Sequence, residues 1–160
     1  MPTWNVKGLD ELITKMNRLE IDCTMAIEKS LYDGAGVFAK AVSSELDNIP
    51  VDNNVVHDGE IKRGPSQIQL NGLKASLGIA PFRQKLGEIN TSIGFDGRNN
   101  LVTKKWPSGQ PNQLVAKEVN SGTSYMRKNP FMTRARRKAK QPAFDKMKQT
   151  FEKEIEKLMK

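Results

Sequence analysis

Six apolar residues, Ile27, Leu31, Ala35, Phe38, Val42 and Leu46, recur at spacings of three and four. A stripe with that period predicts one long helix with a single apolar face, from about Thr24 to Asp47. Asn48 and Pro50 close it, because a proline ring disfavours a helical residue before it. At about 1.5 Å per residue the helix is on the order of 35 Å long, comparable to the diameter of a small domain. Gly34 and Gly36 lie inside it and cost about 1 kcal/mol each relative to Ala. They either permit a close helix crossing or mark a break.

The segments around this helix read as a mixed fold. Leu9, Leu12, Ile13, Met16 and Leu19 predict a separate short amphipathic helix opening near Gly8-Leu9-Asp10. Residues 51–70 hold Asp52-Asn53-Asn54, Asp58-Gly59 and Gly64-Pro65, so a long loop or hairpin insertion is expected, with Val55-Val56 and Ile68 to Leu70 as short strands. Ile89 to Phe95 alternates like a strand. Asp96-Gly97 supplies a turn after it, and Leu101-Val102-Thr103 is its expected hairpin partner. A short helix through Leu114 to Val119 ends at Gly122, where a left-handed residue closes many helices. Asn129-Pro130 offers a cap and a first-turn proline for a last helix, which Pro142 should kink or divide. Beyond it Phe144, Met147, Phe151, Ile155 and Leu158 form a narrow seam, suited to packing on the long helix or to a subunit contact. The expected class is α+β, with N-terminal helices, a small antiparallel sheet and a C-terminal helix. Residues 1–160 form one domain, a size that supports a core without staples.

Charge is segregated along the chain. Residues 1–124 carry 14 Lys/Arg and 14 Asp/Glu, whereas residues 125–160 carry 12 Lys/Arg against Asp145, Glu152, Glu154 and Glu156. The whole formal excess of +8 therefore belongs to a basic C-terminal helical segment. Within it Arg134, Arg136, Arg137, Lys138 and Lys140 fall in seven positions. The stripe is either a surface for an anionic partner, nucleic acid or an acidic protein face, or a solvated helix face.

Residues that carry chemistry are few. His57 is the sole histidine, in a polar turn-rich stretch without the spacing of a metal site. Cys23 is the sole cysteine, so no internal disulfide is possible, and it stands near the start of the long stripe, where a helix N-terminus could activate a thiol. A nucleophile would still need a base. No phosphate-binding glycine loop, nucleophile elbow or paired-carboxylate pattern is present. The reading is a non-enzyme with no cofactor and no metal. No apolar run approaches the roughly 20 residues of a membrane span, and Met1-Pro2-Thr3-Trp4-Asn5 lacks the pattern of a secretory signal.

Three groups of residues together resemble a known family. Gly8-Leu9-Asp10-Glu11-Leu12 precedes a long helix that ends in Ile49-Pro50. Asn71-Gly72-Leu73-Lys74-Ala75-Ser76-Leu77 looks like a Thr-Gly-x-Leu-x-x-Ser-Ile box. Ala116-Lys117-Glu118-Val119-Asn120-Ser121-Gly122-Thr123 and Asn129-Pro130-Phe131-Met132 resemble Ala-x-x-Val-Glu-x-Gly-Thr and Pro-Phe-Leu boxes. The order is similar to that of the head-tail joining, or tail-completion, proteins of long-tailed bacteriophages and prophages. Asn71 and Asn120 stand where that family usually has Thr and Glu.

The resemblance implies a structural virion protein of the phage neck, made in the host cytoplasm. It would form a homo-oligomeric ring of six or twelve copies that joins the tail tube to the capsid portal complex and contacts other neck and tail proteins and packaged DNA. A formal +8 per chain becomes +48 for six copies and +96 for twelve, a load that calls for DNA phosphates or an acidic ring. The turn of Gly122, Thr123, Pro130 and Phe131 is then a docking joint, or Phe131 is a core anchor beneath the last helix. The alternative reading is a small basic nucleic-acid-binding protein, although aromatic platforms for stacking bases are scarce.

Overall fold

In the computed structural model, which describes residues 9–55 and 57–160 and only the backbone of 9–13, one helix, α1, spans Leu9–Asp47. Gly8, Trp4 and Val56, which the sequence reading used, lie outside the described residues. The two N-terminal helices expected separately are thus one. No glycine or proline occurs between Leu9 and Asp33 to stop the first before the second begins. Its 39 residues extend about 58 Å at 1.5 Å per residue.

The last helix, α4, spans Phe131–Leu158 and runs antiparallel along α1. Glu45 meets Arg134 and Lys138, Asp33 accepts a 2.7 Å bond from Thr150, and Lys29 bonds Glu154 at 2.7 Å. Small residues line the contact. Ala26, Ser30 and Ala35 on α1 and Ala135, Ala139 and Ala143 on α4 are all buried. A Cβ at Gly34 would overlap Met147, whereas none at Gly36 would meet anything within 4 Å. Gly34 therefore marks the close crossing, and neither glycine breaks the helix. Pro142 does not divide α4, whose residues on both sides form one helix.

The expected Phe144 to Leu158 seam is not the packed face. Met147 and Ile155 are half-buried, but Phe144 is 63% exposed and Phe151 and Leu158 are also exposed. Alanines occupy the crossing instead, because small side chains let two long helices approach more closely than phenylalanines would.

The helix α2, Gln67–Ser76, begins inside the expected insertion, so Ile68 to Leu70 is not a strand. Ser66 and Gln69 form a capping box: the Ser66 hydroxyl accepts from Gln69 N–H and the Gln69 amide accepts from Ser66 N–H. That pairing satisfies two donors that a helix start leaves free. Residues 51–55 and 57–65 are irregular. They are tied down by Asp52, whose carboxylate accepts from the Asn54 and Arg63 N–H groups, and by Lys62, which bridges to Met126.

Strands β1 (Leu77–Ile79), β2 (Arg83–Lys85), β3 (Glu88–Asn90) and β4 (Ile93–Phe95) form two antiparallel pairs, β1 with β4 and β2 with β3. The single strand expected over Ile89 to Phe95 is divided, and its partners lie upstream. Leu101-Val102-Thr103 is not a strand. The four strands are one long hairpin with an offset: residues 80–82 oppose only 91 and 92 between the two registers. Pro81 sits in that bulge, where its missing N–H costs no ladder bond. Leu86 and Gly87 at the tip both have positive φ, the pairing that a tight two-residue hairpin turn requires.

The helix α3, Asn112–Ser121, completes the α+β fold. One core gathers Val42 and Leu46 from α1 and Ile49 just beyond it, Leu70 and Leu73 from α2, Val115 and Val119 from α3, then Met126 and Phe131. Phe95 meets Phe131 edge-on with ring centres 6.1 Å apart.

Candidate functional site

The five clustered cations of α4 divide into two sets because a helix turns 100° per residue. Arg134 and Lys138, four apart, point back to α1 and converge on Glu45, whose side chain is only 3% exposed. Arg134 Nε donates to Glu45 Oε2 at 2.6 Å and its Nη2 donates to Asn129 Oδ1 at 2.6 Å, while Lys138 donates to Glu45 Oε1. These bonds, that of Lys138 first and that of Arg134 second, hold the Glu45 carboxyl below its ordinary range. Arg134 and Lys138 are thus partners of a buried carboxylate within the subunit, with the Lys138 side chain still 66% exposed beside it. Arg136, Arg137 and Lys140 are exposed and have no ion pair among the described residues. They form the free cationic face.

The joint around Gly122 is built from backbone bonds. Gly122 closes α3 with φ of 77°, and its N–H donates to Glu118 O at 2.8 Å. A Cβ there would approach Lys128 N to 2.9 Å, so the chain can return over this residue only because it is glycine. Thr123 pairs with Met126, and Met126 bridges to Lys62. Asn129 is not the cap of α4. Its carbonyl accepts from Phe131 N–H at 2.7 Å around Pro130, whose φ of −76° and ψ of 57° make a tight three-residue turn. The Asn120 side chain accepts from Met132 N–H at 3.1 Å and serves the helix start from outside. Phe131 is fully buried and so anchors the core. The side chains that this joint exposes are Ser124, Tyr125, Arg127 and Lys128.

Two residues that tie this region together escaped the sequence reading. No local pattern singles out Glu45, because the two cations that pair with it lie some ninety residues away in the sequence. Asn120 was marked only as a departure from the family box.

Cys23 lies well inside α1, partly buried, so no helix N-terminus activates it. His57 is exposed, its N–H directed at Glu60. A cleft of about 760 Å³ between α2 and the segment after β4 has Asp96 and Arg98 as its titratable lining. Both serve the fold: the Asp96 carboxylate accepts from Gly97 N–H, and Arg98 donates to Gly109 O and lies over Trp106. Among the described residues no group of His, Cys, Asp and Glu could hold a metal ion, and no helix is long and apolar enough to cross a membrane. No family model, no characterised protein and no solved structure matches the chain.

Proposed function

We propose that this chain is a non-enzymatic structural subunit of a bacteriophage neck, a ring-forming component that joins tail tube to portal complex in the virion. The observation that carries the reading is the division of charge on α4. Two cations are consumed by Glu45, and Arg136, Arg137 and Lys140 remain free on one exposed helix. Free cations on a rigid helix suit docking on an anionic surface. The boxes that resemble the head-tail joining family support the same reading, because Leu73, Val119 and Phe131, one from each box, meet in a single fully buried cluster. Residues far apart in the chain then have one reason to occur together.

The test is a joining assay in the phage or prophage that encodes the chain. Loss of the protein should leave separate full heads and complete tails, visible in negative stain, and adding purified protein should restore joining. Replacing Arg136, Arg137 and Lys140 by Gln should weaken that step and reduce its salt dependence. Normal joining in the absence of the protein would sink the reading.

The same three cations favour the second reading, nucleic-acid binding without a ring. It requires retention of DNA in a gel shift with a logarithmic salt slope of about −3, one counterion per cation. Restored joining without such retention eliminates it.

A further inference from the structure

Between Asp96 and Glu118 the chain carries Arg98, Lys104, Lys105 and Lys117 and no acid. The first three sit on one finger, residues 98–111, which backbone bonds close in two places. At its base Arg98 bridges to Pro111 and Asn99 N–H donates to Gln110 O at 3.0 Å. At its tip Thr103 and Trp106 exchange backbone bonds of 3.2 and 3.0 Å, so Lys104 and Lys105 are the two residues of a tight turn. Arg98 Cζ and Lys105 Nζ lie 5.6 and 5.7 Å from the centre of the Trp106 ring, which makes their cationic heads neighbours. All three cations are exposed, and none has an ion pair among the described residues. Arg98 donates through Nη1 to Gly109 O, and its remaining donors have no partner among the described residues. Like charges gathered without an acid attract an anion. Because the turn already holds them, little ordering is lost when one binds.

The finger is also one wall of the cleft of about 760 Å³, through Arg98, Asn99 and Asn100. From α2 come Ile68 and Asn71, and from the start of α3 comes Asn112. Asn71 and Asn100 present exposed amides. Asn99 and Asn112 are 5% and 3% exposed, and one amide atom of each, the donor Nδ2 of Asn99 and the acceptor Oδ1 of Asn112, has no partner among the described residues. A buried polar atom without a partner costs about 1–3 kcal/mol, so this wall holds hydrogen-bonding capacity that the fold does not use. Amides that both donate and accept, beside the apolar Ile68, suit the polar edge and flat face of an unpaired nucleobase. Cations on the same finger suit its phosphates. An acidic protein face would engage the cations and leave the amide-lined cleft unused.

We propose that the finger and its cleft bind a single-stranded nucleic acid, with Arg98, Lys104 and Lys105 on the phosphates and an unpaired base against the amides of Asn71 and Asn100. A duplex keeps its base edges paired and out of reach of such a cleft, whereas a single strand can turn a base into it. The inference goes beyond the neck reading, which rests on α4, and uses none of its residues. Its failure leaves head-tail joining untouched.

Binding of a fluorescein-labelled oligothymidylate to the purified full chain is followed by fluorescence anisotropy across a salt series. The wild type should bind. Lys104→Gln with Lys105→Gln should weaken binding at least tenfold and lower the slope of log affinity against log salt by about 1.4, two phosphates at about 0.7 each on a single strand. The same fall should appear in the chain whose Arg136, Arg137 and Lys140 are already replaced by Gln. Asn71→Ala with Asn100→Ala should weaken binding several-fold and leave the slope unchanged, because a base contact releases no counterion. Wild-type affinity in either double variant overturns the proposal. So does displacement of the labelled strand by duplex DNA or by polyglutamate as readily as by unlabelled oligothymidylate, the polyglutamate result assigning the finger to an acidic protein face. If a variant misfolds, ultraviolet cross-linking of the same strand to the wild type decides. Cross-links should fall within residues 97–111, and their absence from that segment overturns the proposal.

Discussion

Glu45 sits in the last turns of α1 with almost no exposed surface, held by Arg134 and Lys138 from the other end of the sequence. Because its carboxyl titrates below the ordinary range in the fold, its contribution to stability is fully present above the unfolded carboxyl pKa and is lost as pH falls through the folded value. Glu154, held down to about 2 by Lys157 first and Lys29 second, acts in the same direction. Urea unfolding at pH 7 and pH 3 should show a smaller pH effect in Glu45→Gln than in wild type. Replacing Arg134 and Lys138 together by Ala strands the buried carboxylate and should cost about 3 kcal/mol at pH 7. Gly122 offers a second residue-scale test. Gly122→Val meets both a positive φ and the Lys128 backbone, so a loss of about 1–3 kcal/mol is expected, against less than about 0.5 for exposed Ser121→Ala. Equal urea midpoints would show that the turn tolerates a side chain. The glycine was legible in the sequence because it follows a periodic segment. Glu45 was not, since its partners are remote.

At the scale of elements, the two glycines of α1 should respond in opposite ways. Gly36→Ala fills open space on a helix and should stabilise by about 0.5–1 kcal/mol through propensity alone. Gly34→Val forces Met147 out of the α1/α4 crossing and should destabilise by about 1–3 kcal/mol. Thermal unfolding of the two single variants checks both signs. Helix existence was legible where the apolar period ran long, as in α1, and where a closing glycine marked the end of a short one, as in α3. The N-terminus of α2 was also written in the sequence, as the Ser-x-x-Gln pattern of Ser66 to Gln69, but the surrounding turn residues obscured it. Strand partners were not legible. A three-residue strand such as β1 carries too few side chains to declare a period, and its partner β4 lies 14 or more residues downstream.

For the whole molecule, segregated charge concentrates the formal excess of +8 on the C-terminal segment. In the isolated chain Arg136, Arg137 and Lys140 repel one another, with no ion pair to offset this among the described residues. Their replacement by Gln should leave the melting temperature unchanged or raise it slightly, and should flatten its dependence on salt. A clear drop in melting temperature would mean that these side chains are paired inside the subunit, as Arg134 and Lys138 are.

The sequence by itself determined that a long helix runs to Asp47 and that a last helix follows Pro130, that Gly122 closes α3, that the class is α+β and that net charge gathers at the C-terminal end. Each of these depends on residues within a few turns of one another, where period, capping and backbone sterics act. Only the tertiary structure decided which face of α4 is buried. Alanines won the crossing because two long helices side by side gain more from close approach at Gly34 than from inserting Phe144 and Phe151. That choice then decided the rest: it brought Arg134 and Lys138 onto Glu45, left Arg136, Arg137 and Lys140 outside, and left Phe144 and Phe151 exposed.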